Sequence, residues 1–357
     1  KQWDKAIESY QKSSEIEPMC ELSHYHIGNC FKLLKQWNKA IESYQKSSEI
    51  DPMCHLNHEN IGNCFQQLNQ WYNAIESYKK AIEIQPTCHL SHFNLGKCFQ
   101  QLNQWDKAIE SYKKSNTEFI THFKIAYCFS QLKQWDKAIE SYQKAIDISP
   151  NHSITCINLG ICFQYLKQWD KAIENYQKSE ETRMQNLEDT EHKKIFLNTG
   201  HCFSQLKQWD KAIEYFQKAI EIDPRYIIPH TNIGICFKNL KQWDKAIESY
   251  QKSIEIDPVC EISLSGVGYC FQSLKQWDKA IESYQKVIDI NPRYNNIFFN
   301  LGICFQRLKQ WDKAIESYKK ESVVCKRNIF NIIICTVIQK QWAILIMILI
   351  YVFLKLT

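Results

Sequence analysis

The sequence predicts an all-α chain in which antiparallel helix-turn-helix units stack into a solenoid. Tryptophan recurs at a nearly fixed interval, turn-forming residues are scarce, and each interval divides into two amphipathic halves. The tryptophans stand at Trp3, Trp37, Trp71, Trp105, Trp135, Trp169, Trp209, Trp243, Trp277, Trp311 and Trp342, in steps of 34, 34, 34, 30, 34, 40, 34, 34, 34 and 31. A period of about 20 to 50 residues marks stacked supersecondary units. The 9 glycines and 8 prolines in 357 residues lie far below the roughly 7% and 5% of an average chain. A sandwich, a barrel or a glycine-looped nucleotide fold would need more of both.

The copy from His230 to Pro258 serves as the template. At 100° per residue, His230, Ile233, Gly234, Phe237 and Leu240 fall in one arc about 120° wide, which predicts a first helix with a single apolar stripe. On the second helix Trp243, Ala246, Ile247, Tyr250 and Ser253 share another arc. Glu248 and Lys252 lie opposite it as an i, i+4 pair. Asp244 complements the helix dipole in the first turn, and Pro258 stops the helix. Two such helices cannot close a core alone, so neighbouring units must bury each other's stripes.

Two intervals depart from the period. After Tyr112 a Lys-Lys-Ser-Asn-Thr-Glu passage replaces the usual helix end and proline, and between Glu180 and Lys194 a polar insert reads as either an extended helix or a surface loop. The chain opens at Lys1 inside a copy of the motif and reads as a fragment or an incomplete gene product. Near the other end, Asn331, Ile334, Cys335, Lys340 and Gln341 keep the register of Asn300, Ile303, Cys304, Lys309 and Gln310, as a decayed first helix would. The apolar run Trp342 to Leu354 that follows is shorter than the ~18 residues of a membrane span. It has three readings: a shifted reading frame or decayed sequence, a C-terminal anchor with Lys326 and Arg327 on the cytoplasmic side, or an apolar helix packed on the solenoid end. The expected organisation is thus a solenoid over 1–324, about nine full repeats plus an N-terminal half repeat, and a degenerate repeat with a hydrophobic segment over 325–357.

Helix-turn-helix units of 34 residues with Ile233, Gly234, Phe237, Ala246, Tyr250 and Pro258 at these spacings resemble the tetratricopeptide repeat. The resemblance covers about residues 1 to 320 and implies a right-handed superhelical solenoid whose first helices line a concave groove. Where the family often has glycine between the helices, this chain has Lys35, Lys241, Lys275, Asn69 or Asn103. Asparagine tolerates the left-handed conformation better than lysine does, so the turn geometry is open at this stage.

Several classes of function are disfavoured. With 44 Lys and Arg against 39 Asp and Glu, the net charge of +5 is spread along the chain, unlike the clustered basic surface of a nucleic-acid protein. Sixteen cysteines without a secretory leader suit a reducing compartment, and a cytoplasmic location is expected. Nine of them, Cys30, Cys64, Cys98, Cys128, Cys162, Cys202, Cys236, Cys270 and Cys304, occupy one repeat site and read as small apolar packing residues. Cys54, His55 and His58, like Cys88, His89 and His92, place Cys and His at i, i+4, but no four-ligand set follows, so no metal is expected. With no nucleophile elbow, phosphate loop or zinc-protease helix motif, neither catalysis, a cofactor nor a small-molecule substrate is expected.

The informative surface is the polar arc of the first helices. Two residues before the repeat glycine stand Asn60, Asn94, Asn158, Asn198, Asn232 and Asn300, in six of nine first helices. Stacking brings such residues into a row, and an amide donates and accepts, so the row could pair with the peptide groups of an extended ligand. It resembles the asparagine ladder in the repeat region of O-linked N-acetylglucosamine transferase. Gln66, Gln100 and Gln164, with Lys238, complete the expected groove lining. The family's carboxylate clamp for chaperone tails is disfavoured, since Tyr25, Leu56, Glu59 and Phe93 fill sites where lysine would be needed. The expected function is a non-enzymatic scaffold binding an extended peptide segment of a partner protein; the alternative is the repeat arm of a larger, glycosyltransferase-like enzyme.

Overall fold

The computed structural model describes residues 2–116, 118–181, 189–294, 296–320 and 331–340, and every regular element among them is a helix. The chain divides into two compact units, Lys1–Gln185 and Asn186–Thr357.

The first unit begins with α1 (Gln2–Ile16), α2 (Glu21–Leu33), α3 (Trp37–Ile50) and α4 (His55–Gln67). It continues with α5 (Trp71–Ile84), α6 (His89–Gln101), α7 (Trp105–Lys114) and α8 (Glu118–Gln131). It ends with α9 (Trp135–Ile148), α10 (Ser153–Tyr165) and α11 (Trp169–Glu181). The second unit holds α12 (Asp189–Gln205), α13 (Trp209–Ile222), α14 (Ile227–Asn239) and α15 (Trp243–Ile256). Then come α16 (Glu261–Ser273), α17 (Trp277–Ile290), α18 (Ile297–Arg307), α19 (Trp311–Lys320) and a helical segment over 331–340. Even-numbered helices are first helices and odd-numbered ones second helices. Each second helix packs on the first helix before it and, within a unit, on the next one, as α3 does with α2 and α4. The fold is an all-α repeat solenoid.

One packing device recurs in most pairs, with Ala126 in place of the glycine on α8 and Phe216 in place of the tyrosine on α13. The second-helix alanine is fully buried, as in Ala40, Ala74 and Ala246, and so is the tyrosine one turn later, as in Tyr44, Tyr78 and Tyr284. The tyrosine ring lies flat against the repeat glycine of the first helix. A methyl on Gly62 would meet the Tyr78 ring at 2.7 Å and one on Gly234 the Tyr250 ring at 2.6 Å. At these two positions the glycine permits the close approach, although a mid-helix glycine costs about 1 kcal/mol relative to alanine.

The turn left open by the sequence takes one geometry throughout. The nine turn residues, lysine and asparagine alike, are left-handed, from φ 56 at Asn69 to φ 61 at Lys309. In the first turn Leu34 N–H donates to Cys30 O at 3.0 Å, Lys35 N–H to Lys32 O at 3.1 Å and Gln36 N–H to Phe31 O at 2.9 Å. This hydrogen-bonded helix stop outweighs the ~1–2 kcal/mol that a non-glycine residue spends in that region. At the far end of the second helix, Asp51 is extended because a proline follows, and its carboxylate accepts from Met53 N–H at 3.0 Å. Asp223, Asp257 and Asn291 repeat the arrangement.

The shortened interval leaves α7 with 10 residues where α5 has 14. The lost turn is replaced by buried hydroxyls: Ser115 Oγ lies 3.0 Å from Thr121 Oγ1. Part of the polar insert extends α12 to 17 residues, against 13 in α14. Near the C-terminal end, Cys335 is fully buried against Ala314 and Tyr318. The run 342–354 lies outside the described residues, and no described helix is long and apolar enough to cross a membrane.

Candidate functional site

The first helices carry the variable polar surface, and their amides divide into two groups. Asn60 and Asn94 are buried and occupied. Lys32 Nζ donates to Asn60 Oδ1 at 2.8 Å, Asn60 Nδ2 donates to Tyr25 Oη at 3.4 Å, and Asn94 Nδ2 donates to Asn63 Oδ1 at 3.2 Å. Asn158, Asn198, Asn232 and Asn300 are half-buried and, among the described residues, make no side-chain hydrogen bond. The row is interrupted by His26, by Lys124 and by Gly266. At Gly266 a methyl would meet the Tyr250 ring at 2.5 Å, so packing excludes an amide there.

The glutamines have a structural partner that the sequence reading missed. Gln100 Oε1 accepts from Tyr112 Oη and Gln164 Oε1 from Tyr176 Oη, both at 2.8 Å. Gln272 and Gln306 accept from Tyr284 and Tyr318, both at 2.7 Å. Gln66 stands 3.4 Å from Tyr78 Oη, which donates to Asn63 at 2.8 Å. The sequence carries no clear signal for this pairing: the glutamine site holds Lys32, Ser130, Ser204 and Lys238 opposite Tyr44, Tyr142, Phe216 and Tyr250. Lys238 places its Nζ 5.6 Å from the centre of the Tyr269 ring, a cation–π contact.

Two concavities open on this face in the first unit. One, of about 550 Å³, has Asn158 on its wall with Tyr127, Trp135, Ile161 and Tyr165. Trp135 and Tyr165 stack at 4.2 Å and 4°, presenting a flat aromatic surface beside an unpartnered amide. The other, of about 340 Å³, is lined by Gln66, Gln67, Gln100, Gln101, Trp71, Asn69, Lys97 and Lys124. Lys124 stands where six other first helices carry asparagine. Because α8 has Ala126 in place of the repeat glycine, only alignment through Cys128 reveals that register.

The groups tested for metal binding serve packing. His92 Nε2 lies 3.0 Å from Pro86 O and His58 Nε2 3.2 Å from Ser48 Oγ. Among the described residues no cluster of His, Cys, Asp and Glu could hold a metal. The cysteine row is buried, and burial pushes the thiols of Cys98, Cys162 and Cys304 up to about 12. They therefore stay protonated at neutral pH and lack the thiolate needed for nucleophilic or redox chemistry.

The tetratricopeptide-repeat pattern matches residues 117–185 and 153–225, residues 22–54, 58–88 and 228–259, and residues 91–115. A TPR-repeat pattern matches residues 268–309. The chain is a tetratricopeptide-repeat protein. Its repeats thereby place it among protein-interaction scaffolds.

Among solved structures, the C-terminal part of a TPR repeat-containing protein from Cytophaga hutchinsonii is 17% identical, with a TM-score of 0.58 over 67% of this chain and 98% of that one. YrrB, described as a TPR protein with an unusual peptide-binding site, is 22% identical, with a TM-score of 0.45 over 58% of this chain and 97% of its own. MamA from Desulfovibrio magneticus is 16% identical, with a TM-score of 0.46 over 50% and 98%. At such identities the likeness concerns the fold alone. No curated protein sequence matches the chain. The matched pattern is that of the repeat, and the finer likeness to a transferase repeat region is not among these findings.

Proposed function

We propose that this tetratricopeptide-repeat protein is a non-enzymatic scaffold whose first-helix faces bind an extended segment of a partner protein. The observation that carries the reading holds in each unit by itself: Asn158 in the first, and Asn198, Asn232 and Asn300 in the second, are half-buried and make no side-chain hydrogen bond among the described residues. A side-chain amide both donates and accepts, so the peptide groups of a ligand can supply the missing bonds. A polyproline II segment has no internal hydrogen bonds, so its peptide groups are free to pair with side-chain amides. The stacked Trp135 and Tyr165 suit such a segment, since their faces accept apolar or proline side chains without requiring a fixed sequence.

The test is retention of a degenerate peptide library on the immobilised full chain and on a variant with the second unit's Asn198, Asn232 and Asn300 changed to Ala. Each amide should contribute about 0.5–1.5 kcal/mol, so the variant should retain at least tenfold less peptide. Equal retention would remove the amide row from the site. No retention by either protein would remove peptide binding.

A further inference from the structure

The cavity bounded by Lys97 and Lys124 carries an unbalanced charge. Lys97 lies on α6 and Lys124 on the next first helix, α8, and both line the same cavity of about 340 Å³. The rest of its wall is four glutamines, an asparagine and a tryptophan, and neither lysine makes an ion pair with a carboxylate among the described residues. On the second helices one exposed lysine in many of the copies is paired at i, i+4, as Lys80 is with Glu76 and Lys114 with Glu110. Both cavity lysines are half-buried. Burial first, and the charge of Lys97 second, hold Lys124 below the ordinary lysine range. Two ammonium groups that repel each other in a partly desolvated site are stabilised by an anion placed between them.

We infer that the Lys97–Lys124 cavity is a phosphate-monoester subsite, which receives a phosphorylated serine or threonine of the segment bound along the first-helix face. A phosphate carries close to two negative charges near neutral pH and balances both lysines, whereas a carboxylate balances one. The glutamine side chains supply amide donors for the remaining phosphate oxygens. Lysine suits this role because it acts as a point charge on a flexible stem, with no fixed bidentate geometry to satisfy. The inference rests on the proposed peptide-binding face for its occupant, but not for the anion site itself.

Two measurements on the full chain separate these parts. The first is trace acylation of lysines read by mass spectrometry with and without inorganic phosphate at constant ionic strength. Phosphate should protect Lys97 and Lys124 several-fold while leaving the paired Lys252 and Lys286 unchanged; uniform protection, or none, would overturn the anion site. The second compares degenerate libraries with a central phosphoserine, serine or glutamate on wild type and on the Lys97→Gln, Lys124→Gln double variant. The phosphoserine library should be retained at least tenfold better than the serine library by wild type, and no better by the variant. Equal retention of the glutamate library would overturn the phosphate assignment. Protection by phosphate without a phosphoserine advantage would reduce the site to one for a free anion and overturn the peptide occupant. Loss of all three libraries from wild type would count against the peptide-binding face, while the acylation result would still decide the anion site.

Discussion

The second helices are near copies of one another, whereas the first helices share a buried stripe and differ on the opposite face. Burial accounts for the contrast. A second helix packs on first helices before and after it, so alanine, tyrosine and the small residue that follows are fixed on several sides. Its outer face repeats too, with Glu140–Lys144 at 2.7 Å, Glu248–Lys252 at 2.9 Å and Glu316–Lys320 at 2.7 Å. Exposed pairs of this kind add little stability. A first helix keeps its cysteine and the phenylalanine after it, and in all but one copy its glycine and the aliphatic residue before that, the exceptions being Ala126 and Thr199. The positions immediately after the glycine site run Asn63, Lys97, Tyr127, Ile161, His201, Ile235 and Tyr269. One helix type thus builds the stack and the other displays a varied surface, which is the division of labour expected of a binding scaffold.

The sharpest way to break this comparison is to truncate one tyrosine of each class. Tyr78 on α5 is fully buried, and Tyr165 on α10 is 63% exposed. Tyr78→Ala should cost about 3–5 kcal/mol, and Tyr165→Ala no more than about 1.5 kcal/mol, through loss of its stack on Trp135. Urea denaturation read by circular dichroism checks both, and comparable losses would contradict the division. Next in size is Gly234→Ala, where the added methyl meets the Tyr250 ring at 2.6 Å. It should destabilise by about 1–3 kcal/mol, although the same change on an exposed helix would stabilise.

Two changes should move in the opposite direction. Asn57 is fully buried, and neither its Oδ1 nor its Nδ2 has a partner among the described residues. Equivalent positions hold Ser91, which donates to Glu59 at 2.8 Å, and Ser263, which donates to Ser253 at 2.8 Å. Asn57→Ser, with Ser47 placed as Ser253 is, should therefore raise the melting temperature through a gain of about 1–2 kcal/mol. The smallest effect is Lys241→Gly. Its φ of 60 is free of strain for glycine, and relief of ~1–2 kcal/mol is partly offset by the greater freedom of glycine in the unfolded chain. A net gain of about 0.5–1 kcal/mol should appear in the same melting assay, and a loss would show that the lysine stem contributes packing.

Most of the fold was legible in the sequence because the repeat states one solution many times. The stripe through Ile233, Gly234 and Ala246, and the proline stop at Pro258, follow from periodicity alone. The lysine turn did not, since its left-handed stop depends on a ring of backbone bonds that residue preferences do not encode. The site was less legible. An asparagine in the right column can be occupied, as Asn60 is by Lys32, or unpartnered, as Asn158 is, and the distinction lies in the neighbouring repeat. The glutamines were similarly ambiguous until Tyr112 and Tyr176 were seen to donate to them. Lys97 and Lys124 are 27 positions apart and meet because α6 and α8 belong to consecutive repeats, as the equivalent Asn63 and Asn94 do on α4 and α6.

The central claim is that ligand occupies the first-helix face and leaves the second-helix exterior free. Hydroxyl-radical footprinting with retained peptide tests it directly through two exposed tyrosines of the first unit. Tyr165 lies on first helix α10 and is 63% exposed, and Tyr72 lies on second helix α5 and is 70% exposed. Peptide should lower the oxidation of Tyr165 and leave that of Tyr72 unchanged. Protection of Tyr72 with Tyr165 unaffected would contradict the account.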